Sequence, residues 1–291
     1  MSEIKKPLLI ADLLDLDLIN YKNLDGFVVP IKGLASYDER CFDLNEVRII
    51  NDWCKNNNIL VIAKIDKIIM EEELDTLFKT LDYLESLETN YYMYTDASIL
   101  SYFSKLNKLN KLIYTSSKMV ASFNEASYYV NKGINVVPSS EVSLEEIKNI
   151  CSLDNICITC YGLLDIFYSK RKLVSLYKEH IGKRPLSKNK KFTIIEESRD
   201  DKNIILENEN GTFIFSSFTY LLYRELAFIN PKFIKINSFN IKKNDLFVII
   251  DIYKEALGSG PTVSGYDRLL DINGSVDSGF LYKKAGILNE K

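Results

Sequence analysis

The side chains best suited to chemistry in this sequence are charged residues that stand near the ends of predicted strands. Lys235 is in the last predicted strand, and Glu141 and Glu207 stand near the ends of others. A lysine or glutamate at such an end can act as a general base or hold an anion. We therefore predict these three as candidate catalytic residues. A structural salt bridge would use the same residue types, and Lys64, Glu196 and Glu197 are similarly placed.

Nucleophilic catalysis and metal binding have little support in the sequence. His180 is the only histidine, so a Ser–His or Cys–His arrangement would have to use it. Cys157 and Cys160 form a C-x-x-C spacing on a predicted strand, where residues three apart point to opposite faces. No zinc-protease, phosphate-loop or dinucleotide motif occurs. We predict no metal site and no cofactor.

A basic segment, defined here as residues 165–193, is the strongest indication of a binding partner. It holds nine Lys and Arg against two Asp and Glu, a net charge of +7, although the whole chain is -3. A basic patch on an acidic body attracts a polyanion, and interleaved aromatic side chains can stack on unpaired bases. The alternative is a solvated lysine-rich loop. The predicted RNA-contacting residues are Tyr168, Lys170, Arg171, Lys172, Tyr177, Lys183, Arg184, Lys188, Lys190 and Lys191.

Short apolar runs alternate with amphipathic stretches along most of the chain, which predicts the elements that must position these residues. Eight runs read as buried parallel strands. They are Leu8–Ala11, Gly26–Val29, Ile59–Ala63, Tyr91–Tyr94, Lys111–Tyr114, Asn135–Val137, Ile156–Cys160 and Phe233–Ile236. Helical patterns separate them, with capping-box signals at Asp43 and Ser143. We predict an α/β fold, a TIM-like (β/α)8 barrel over residues 1–257, with a tail at 258–291. An open doubly wound sheet is the alternative, and it would usually show a glycine-rich turn after its first strand.

The longest connection lies after the seventh predicted strand. Residues 161–219 are predicted as an insertion at the carboxyl-terminal face of the barrel, where barrel enzymes place their sites. Within it we expect a helix at Ile166–His180 and three strand-like runs, Phe192–Glu196, Asn203–Glu207 and Thr212–Phe215. A further helix is expected at Tyr220–Ile229.

Composition gives a broad class. Hydrophobic residues make up 46% and charged residues 26%, values that argue against disorder. No apolar run is long enough to span a membrane and the start lacks signal-peptide features, so no membrane association is expected. Five cysteines without a framework pattern suggest reduced thiols and a cytoplasmic location.

Several segments resemble the collagenase-like U-32 peptidase family, in particular the branch linked to hydroxylation of the wobble uridine of tRNA. Gly162 and Ser175 fit the family signature, and Ser169–Lys172 is similar to the variant found in that branch. Further similar runs cover most of the chain. They are residues 139–146, 199–202, 207–217, 235–238, 253–256 and 277–283.

The departures from the family pattern affect chemistry. Members with an iron–sulfur cluster hold it with cysteines, and Asp165 and Lys172 stand at two of those positions here. A cysteine-ligated cluster needs thiolates, so none is expected. Asn237, Ser140 and Phe213 replace an acidic residue, an arginine and a histidine. The resemblance thus implies a tRNA-binding protein that supports uridine hydroxylation, working with a paralogous subunit. A peptidase and a noncatalytic interaction module are the alternatives.

Overall fold

Eight parallel strands form the main part of one mixed sheet. The computed structural model describes residues 6–115, 119–184, 190–195 and 201–283. The parallel strands are β1 (Leu8–Asp12), β2 (Gly26–Pro30), β3 (Leu60–Ile65), β4 (Tyr91–Tyr94), β5 (Leu112–Thr115), β6 (Asn135–Val137), β7 (Cys157–Ser169) and β11 (Phe233–Ile236). Each predicted strand is therefore present.

The sheet is strongly curled. Its order is β6-β5-β4-β3-β2-β1-β11-β7, continued by β10 (Gly211–Leu221), β9 (Lys202–Asn208) and β8 (Lys190–Ile195). The curl brings β6, the first strand of this order, beside β7. There Val136 of β6 forms an isolated parallel bridge with Ile156. Among the described residues this bridge is the sole pairing along that seam. The α/β class is confirmed, but the structure shows a curled sheet rather than a fully paired eight-stranded cylinder.

Helices pack on the convex side of the sheet. They are α1 (Leu44–Asn57), α2 (Leu74–Ser86), α3 (Ala97–Lys105), α4 (Phe123–Val130), α5 (Leu144–Ile150), α7 (Lys243–Ser259) and α8 (Val263–Ile272). At the start of α1, Asp43 and Glu46 form the predicted capping box. Ser143 caps α5, but the Glu146 carboxylate accepts a hydrogen bond from Phe123 N instead. Among the described residues no helix is long and apolar enough to cross a membrane.

Residues 161–219 differ from the prediction because they extend the sheet itself. β7 runs on to Ser169 and pairs antiparallel with β10, so the helix predicted from Ile166 is wrong over its first half. α6 is only Leu173–His180. The helix predicted from Tyr220 is also wrong, because Tyr220 and Leu221 pair with β7. The apolar run around Gly162 is locally compatible with a helix or a strand. Its long pairing with β10 makes it a strand.

Residues 258–283 pack closely against the body. Leu269 of α8 and Leu281 are buried, and β12 (Val276–Asp277) pairs with β10. Leu281 O accepts a hydrogen bond from Leu144 N at the start of α5. This segment therefore borders the seam between β6 and β7.

The two faces of the parallel strands form two apolar layers. Ile10, Ile62 and Phe233 belong to a small cluster on the concave side, while their neighbours Leu9, Val61 and Ile234 pack with the helices. Because alternate residues of a strand share a face, the concave side continues two residues later with Asp12, Lys64 and Lys235. The sheet thus carries an apolar concave layer followed by a charged one at the carboxyl ends of the strands.

Candidate functional site

Three buried charges from three strands meet on the concave side of the sheet. Asp12 ends β1, Lys64 lies in β3 and Lys235 lies in β11. The Lys235 ammonium is 3.1 Å from Asp12 Oδ2, and the Lys64 ammonium is 3.8 Å from Asp12 Oδ1. Asp12 Oδ2 also accepts a hydrogen bond from Ser238 N. Asp12 therefore links the two lysines.

Two further carboxylates reach Lys64 from loops. Asp38, between β2 and α1, accepts hydrogen bonds of 2.8 and 3.1 Å from the Lys64 ammonium. Asp66, just after β3, lies 3.6 Å from the same ammonium and accepts a hydrogen bond from Ser36 N. We call the set of Asp12, Asp38, Asp66, Lys64 and Lys235 the charged cluster.

The charged cluster holds one more carboxylate than ammonium groups, which shapes its protonation. Burial disfavours the ammonium form of Lys64, but Asp38, Asp66 and Asp12 outweigh it and hold the Lys64 pKa well above its ordinary value. Burial, with the charges of Asp12 and Asp66, raises the pKa of Asp38 to about 8 against the opposing effect of Lys64. The pKa of Asp12 is lowered, since Lys235 and Lys64 outweigh its burial. Within the charged cluster, burial and the neighbouring carboxylates therefore favour the protonated form of Asp38 and the ionised form of Asp12.

Aromatic side chains cover the charged cluster from the side of residues 201–240. The Lys64 ammonium lies 5.0 Å from the centre of the Tyr37 ring. That ring packs in turn against Phe213, Phe215 and Phe239, with centroid distances of 4.7–5.4 Å. This packing keeps water from the lysine and its carboxylates, which strengthens their interactions.

A cavity of about 260 Å³ lies beside the charged cluster. Lys235 and Asp66 reach it, and Asn237, which donates a hydrogen bond to Leu163 O, lines it too. Hydroxyl side chains form much of the remaining polar wall. They are Ser36, Thr95, Thr115, Ser139, Ser140 and Thr159. The cavity thus offers two lysines (Lys67 and Lys235), two carboxylates (Asp66 and Asp165) and several hydroxyl groups to a small polar ligand.

The three predicted catalytic residues lie in different places. Lys235 lines the cavity. Glu141 is exposed and is not among the lining residues. Glu207 is buried at the start of α6, where its carboxylate accepts hydrogen bonds from Val174 N and Ser175 N. The tertiary structure therefore brings only Lys235 to the cavity, and a catalytic role for any of the three stays a prediction.

The sequence reasoning missed the carboxylates and the tyrosine around Lys64. Asp12 and Asp66 end or follow strands in otherwise apolar runs, which is a signal that could have identified them. Asp38 and Tyr37 lie in a loop, and their approach to Lys64 has no local signature.

The basic segment begins at the cavity. Tyr168 lines it, stacks on Phe213 at 4.8 Å and donates a hydrogen bond to Asn210 O. Just beyond, the basic loop (residues 170–172) is exposed. Because Lys170 follows Tyr168 by two residues, the basic loop starts beside the cavity.

The other predicted RNA-contacting residues are spread along the rest of the segment. Tyr177, Lys183 and Arg184 are exposed on and after α6. Lys191 bonds to Glu39 and Asn240 and lies over the Phe239 ring. Lys190 begins β8, and only its backbone is described; Lys188 lies outside the described residues. Glu196 and Glu197 lie outside them as well.

Cys157, Cys160 and His180 are not arranged for nucleophilic catalysis. Cys157 joins the concave cluster and Cys160 the opposite layer, as their spacing predicts. Burial raises the pKa of Cys157 to about 12 and that of Cys160 well above the ordinary value, so both stay thiols at neutral pH. His180 is exposed at the end of α6. Within the described ranges, no three or more His, Cys, Asp or Glu are arranged to hold a metal ion.

A family model matches most of the chain. Residues 33–284 match the sequence model of peptidase family U32. The tRNA hydroxylation protein P2 of Bacillus subtilis (strain 168) is 23% identical over 249 residues, which cover 77% of this chain and 80% of that protein. A solved U32 peptidase superposes with a TM-score of 0.49 at 15% identity, covering 81% and 95% of the two chains. A chitinase from Chromobacterium violaceum superposes with a TM-score of 0.42 at 7% identity, covering 87% and 98%.

Proposed function

Because the chain belongs to peptidase family U32, we propose that it supports hydroxylation of the wobble uridine of tRNA. In this proposal the basic segment binds the anticodon loop, and the cavity receives one unpaired base. The similarity to a protein named for tRNA hydroxylation supports the choice of substrate. The proposal implies a cytoplasmic location.

The observation that carries the proposal is the shared side of the cavity and the basic loop. Tyr168 lines the cavity, and the exposed basic loop begins two residues later. RNA bases that are already unpaired can be splayed out and held in pockets, while cations contact the adjoining phosphates. A small polar cavity with an exposed basic loop at its border has the features needed for both contacts.

Inside the cavity, Lys235 is the group we propose to contact the base. Its ammonium has one close carboxylate, Asp12, which leaves further donor positions. A uracil ring presents two carbonyl acceptors on either side of an N–H group. Donation from Lys235 to one of these carbonyls would orient the ring in the cavity.

A partner subunit forms part of the proposal. Three residues that line the cavity, Asn237, Ser140 and Phe213, stand where the family resemblance implies an acidic residue, an arginine and a histidine. Phe213 is buried between Tyr37 and Tyr168, so it acts in packing. We propose that a paralogous U32 subunit supplies the missing polar groups and that this chain contributes RNA binding.

A peptidase activity has less support. The thiols of Cys157 and Cys160 are held protonated, and His180 lies on α6, outside the cavity lining. A cysteine peptidase needs a thiolate with a neighbouring base. A noncatalytic interaction module is compatible with the same fold, and the nucleoside composition of tRNA distinguishes it.

The test is therefore the nucleoside composition of tRNA from a strain that lacks the gene. We expect 5-hydroxyuridine derivatives to fall, and to be restored by the wild-type gene but not by Lys235→Met. Mass spectrometry of digested tRNA measures both. Unchanged 5-hydroxyuridine derivatives in the deletion strain would contradict the proposal, and proteolysis that persists through purification to homogeneity would favour the peptidase alternative.

A further inference from the structure

We propose that Glu207 and Thr212 are positioning residues that hold the basic loop beside the cavity for RNA. The inference rests on the proposed function and adds to it the device that orients the RNA-contacting residues. Glu207 is the last residue but one of β9 and Thr212 is the second residue of β10, and the two pair across a tight hairpin. Their side chains face the first turn of α6, immediately after the basic loop.

The hydrogen bonds of Glu207 define the start of the helix. Glu207 Oε2 accepts hydrogen bonds of 2.8 Å from Val174 N and 3.2 Å from Ser175 N, and Ser175 Oγ donates to Glu207 Oε1. Lys172, at the N-cap position, makes no capping hydrogen bond with its own side chain. The carboxylate therefore does the work of a local cap from another strand, which satisfies otherwise unpaired N–H groups.

Thr212 fixes the basic loop itself. Its hydroxyl oxygen accepts a 2.9 Å hydrogen bond from Leu173 N and donates a 2.8 Å one to Arg171 O. Both bonds join backbone groups at or next to the loop. Since Thr212 is fully buried, these bonds do not compete with water.

The same hairpin is fastened to the cavity wall on its other side. Asn208 and Asn210 both donate hydrogen bonds to Ser36 O, and Asn210 also donates to Ala35 O. Ser36 N in turn donates to Asp66, a carboxylate of the charged cluster. One hairpin thus joins the basic loop to the cavity through a continuous set of hydrogen bonds.

Electrostatics alone would give Glu207 the opposite role. A carboxylate next to a basic loop repels RNA, so its removal should strengthen binding if only charge mattered. A residue that positions the loop should weaken binding when it is altered. The sign of the effect therefore separates the two possibilities.

The experiment measures the affinity of the full chain for a synthetic anticodon stem–loop RNA with uridine at the wobble position, at several salt concentrations. In Glu207→Gln an NH2 group replaces one carboxylate oxygen, so either the Ser175 hydroxyl or the two backbone N–H groups lose their acceptor, and the negative charge at the start of α6 is removed. We expect Glu207→Gln and Thr212→Val to weaken binding about fivefold, and the salt dependence to become shallower by about 0.7 logarithmic units for each phosphate that the loop no longer binds. Thr212→Ser keeps the hydroxyl and should restore wild-type binding.

Glu209→Gln is the matched control, because Glu209 is exposed in the turn of the same hairpin and carries the same charge. It should bind RNA as well as the wild type or more tightly. Equal affinities and salt slopes for Glu207→Gln and Glu209→Gln would overturn the inference and leave the proposed function intact. A wild-type protein that does not bind the RNA would instead overturn the proposed function.

Discussion

Three carboxylates and two ammonium groups share the concave side of the sheet, out of contact with most water. Breaking such a buried set usually costs several kcal/mol, since it leaves a charge without its partner. The set fixes the ends of β1, β3 and β11 relative to the loops that carry Asp38 and Asp66. It also orients the ammonium of Lys235 at the cavity wall.

The raised pKa of Asp38 predicts how stability depends on pH. Unfolded, this carboxyl has an ordinary pKa of 3.8, and in the folded protein its pKa is raised to about 8. Between these values the folded state binds a proton that the unfolded state lacks, so the stability it contributes is lost as pH rises towards 8. We expect the free energy of unfolding in urea to fall less steeply between about pH 5 and 8 for Asp38→Asn than for wild type.

The control for this prediction is Asp52→Asn, which alters an exposed carboxylate on α1. It should keep the wild-type pH dependence. If Asp38→Asn keeps it too, the pKa of Asp38 is not raised in the folded protein.

Among the strands, β7 depends on a glycine where it passes β11. Gly162 has φ +117°, and a Cβ there would lie 2.3 Å from Asn237 O. Asn237 also lines the cavity, so the close approach of the two strands at this point affects the shape of the cavity. A side chain at position 162 would require the backbone of one of the two strands to move.

We therefore expect Gly162→Ala to lower the free energy of unfolding by more than about 2 kcal/mol, measured by urea titration. Gly182→Ala is the control, because Gly182 has φ +71° with no neighbouring atom within 4 Å. It should cost only about 1 kcal/mol, the conformational part alone. Equal losses for the two variants would show that the close approach to Asn237 is absent.

Across the molecule as a whole, charge is divided unevenly. The basic segment has a net charge of +7 on a chain that totals -3, so the remainder is strongly acidic. Such a distribution favours binding of a polyanion at one region and repels it elsewhere. The proposed RNA contact should therefore depend on the basic loop far more than on lysines at the other end of the sheet.

The prediction is that Lys170→Ala, Arg171→Ala and Lys172→Ala together weaken tRNA binding and flatten its salt dependence by about 2 logarithmic units, near 0.7 per phosphate contact. Alanine at Lys22, Lys105 and Lys132 is the control, because these exposed lysines end or follow helical segments that return to the amino ends of the strands. Filter binding over a salt series measures both. A control set with the same effect would indicate nonspecific attraction.

Local sequence patterns were enough to establish the α/β class, the eight parallel strands and most of the helices on the convex side. Apolar periodicity and capping signals are contained within a short window of residues. The family could also be identified from the sequence, through runs such as those at 207–217 and 277–283, as could the charge of the basic segment. These properties do not depend on which distant residues meet.

The remaining features required the folded chain. It showed that β7 and β10 pair beyond Cys160, that Glu207 caps α6, and that Asp12, Asp38 and Asp66 gather around Lys64. Each of these features depends on contacts between residues far apart in the chain. A given local sequence is compatible with contacts to more than one distant segment. A strand pairing, a buried ion set or a cap from another strand is therefore fixed by packing, and it becomes visible only when the distant segments are seen together.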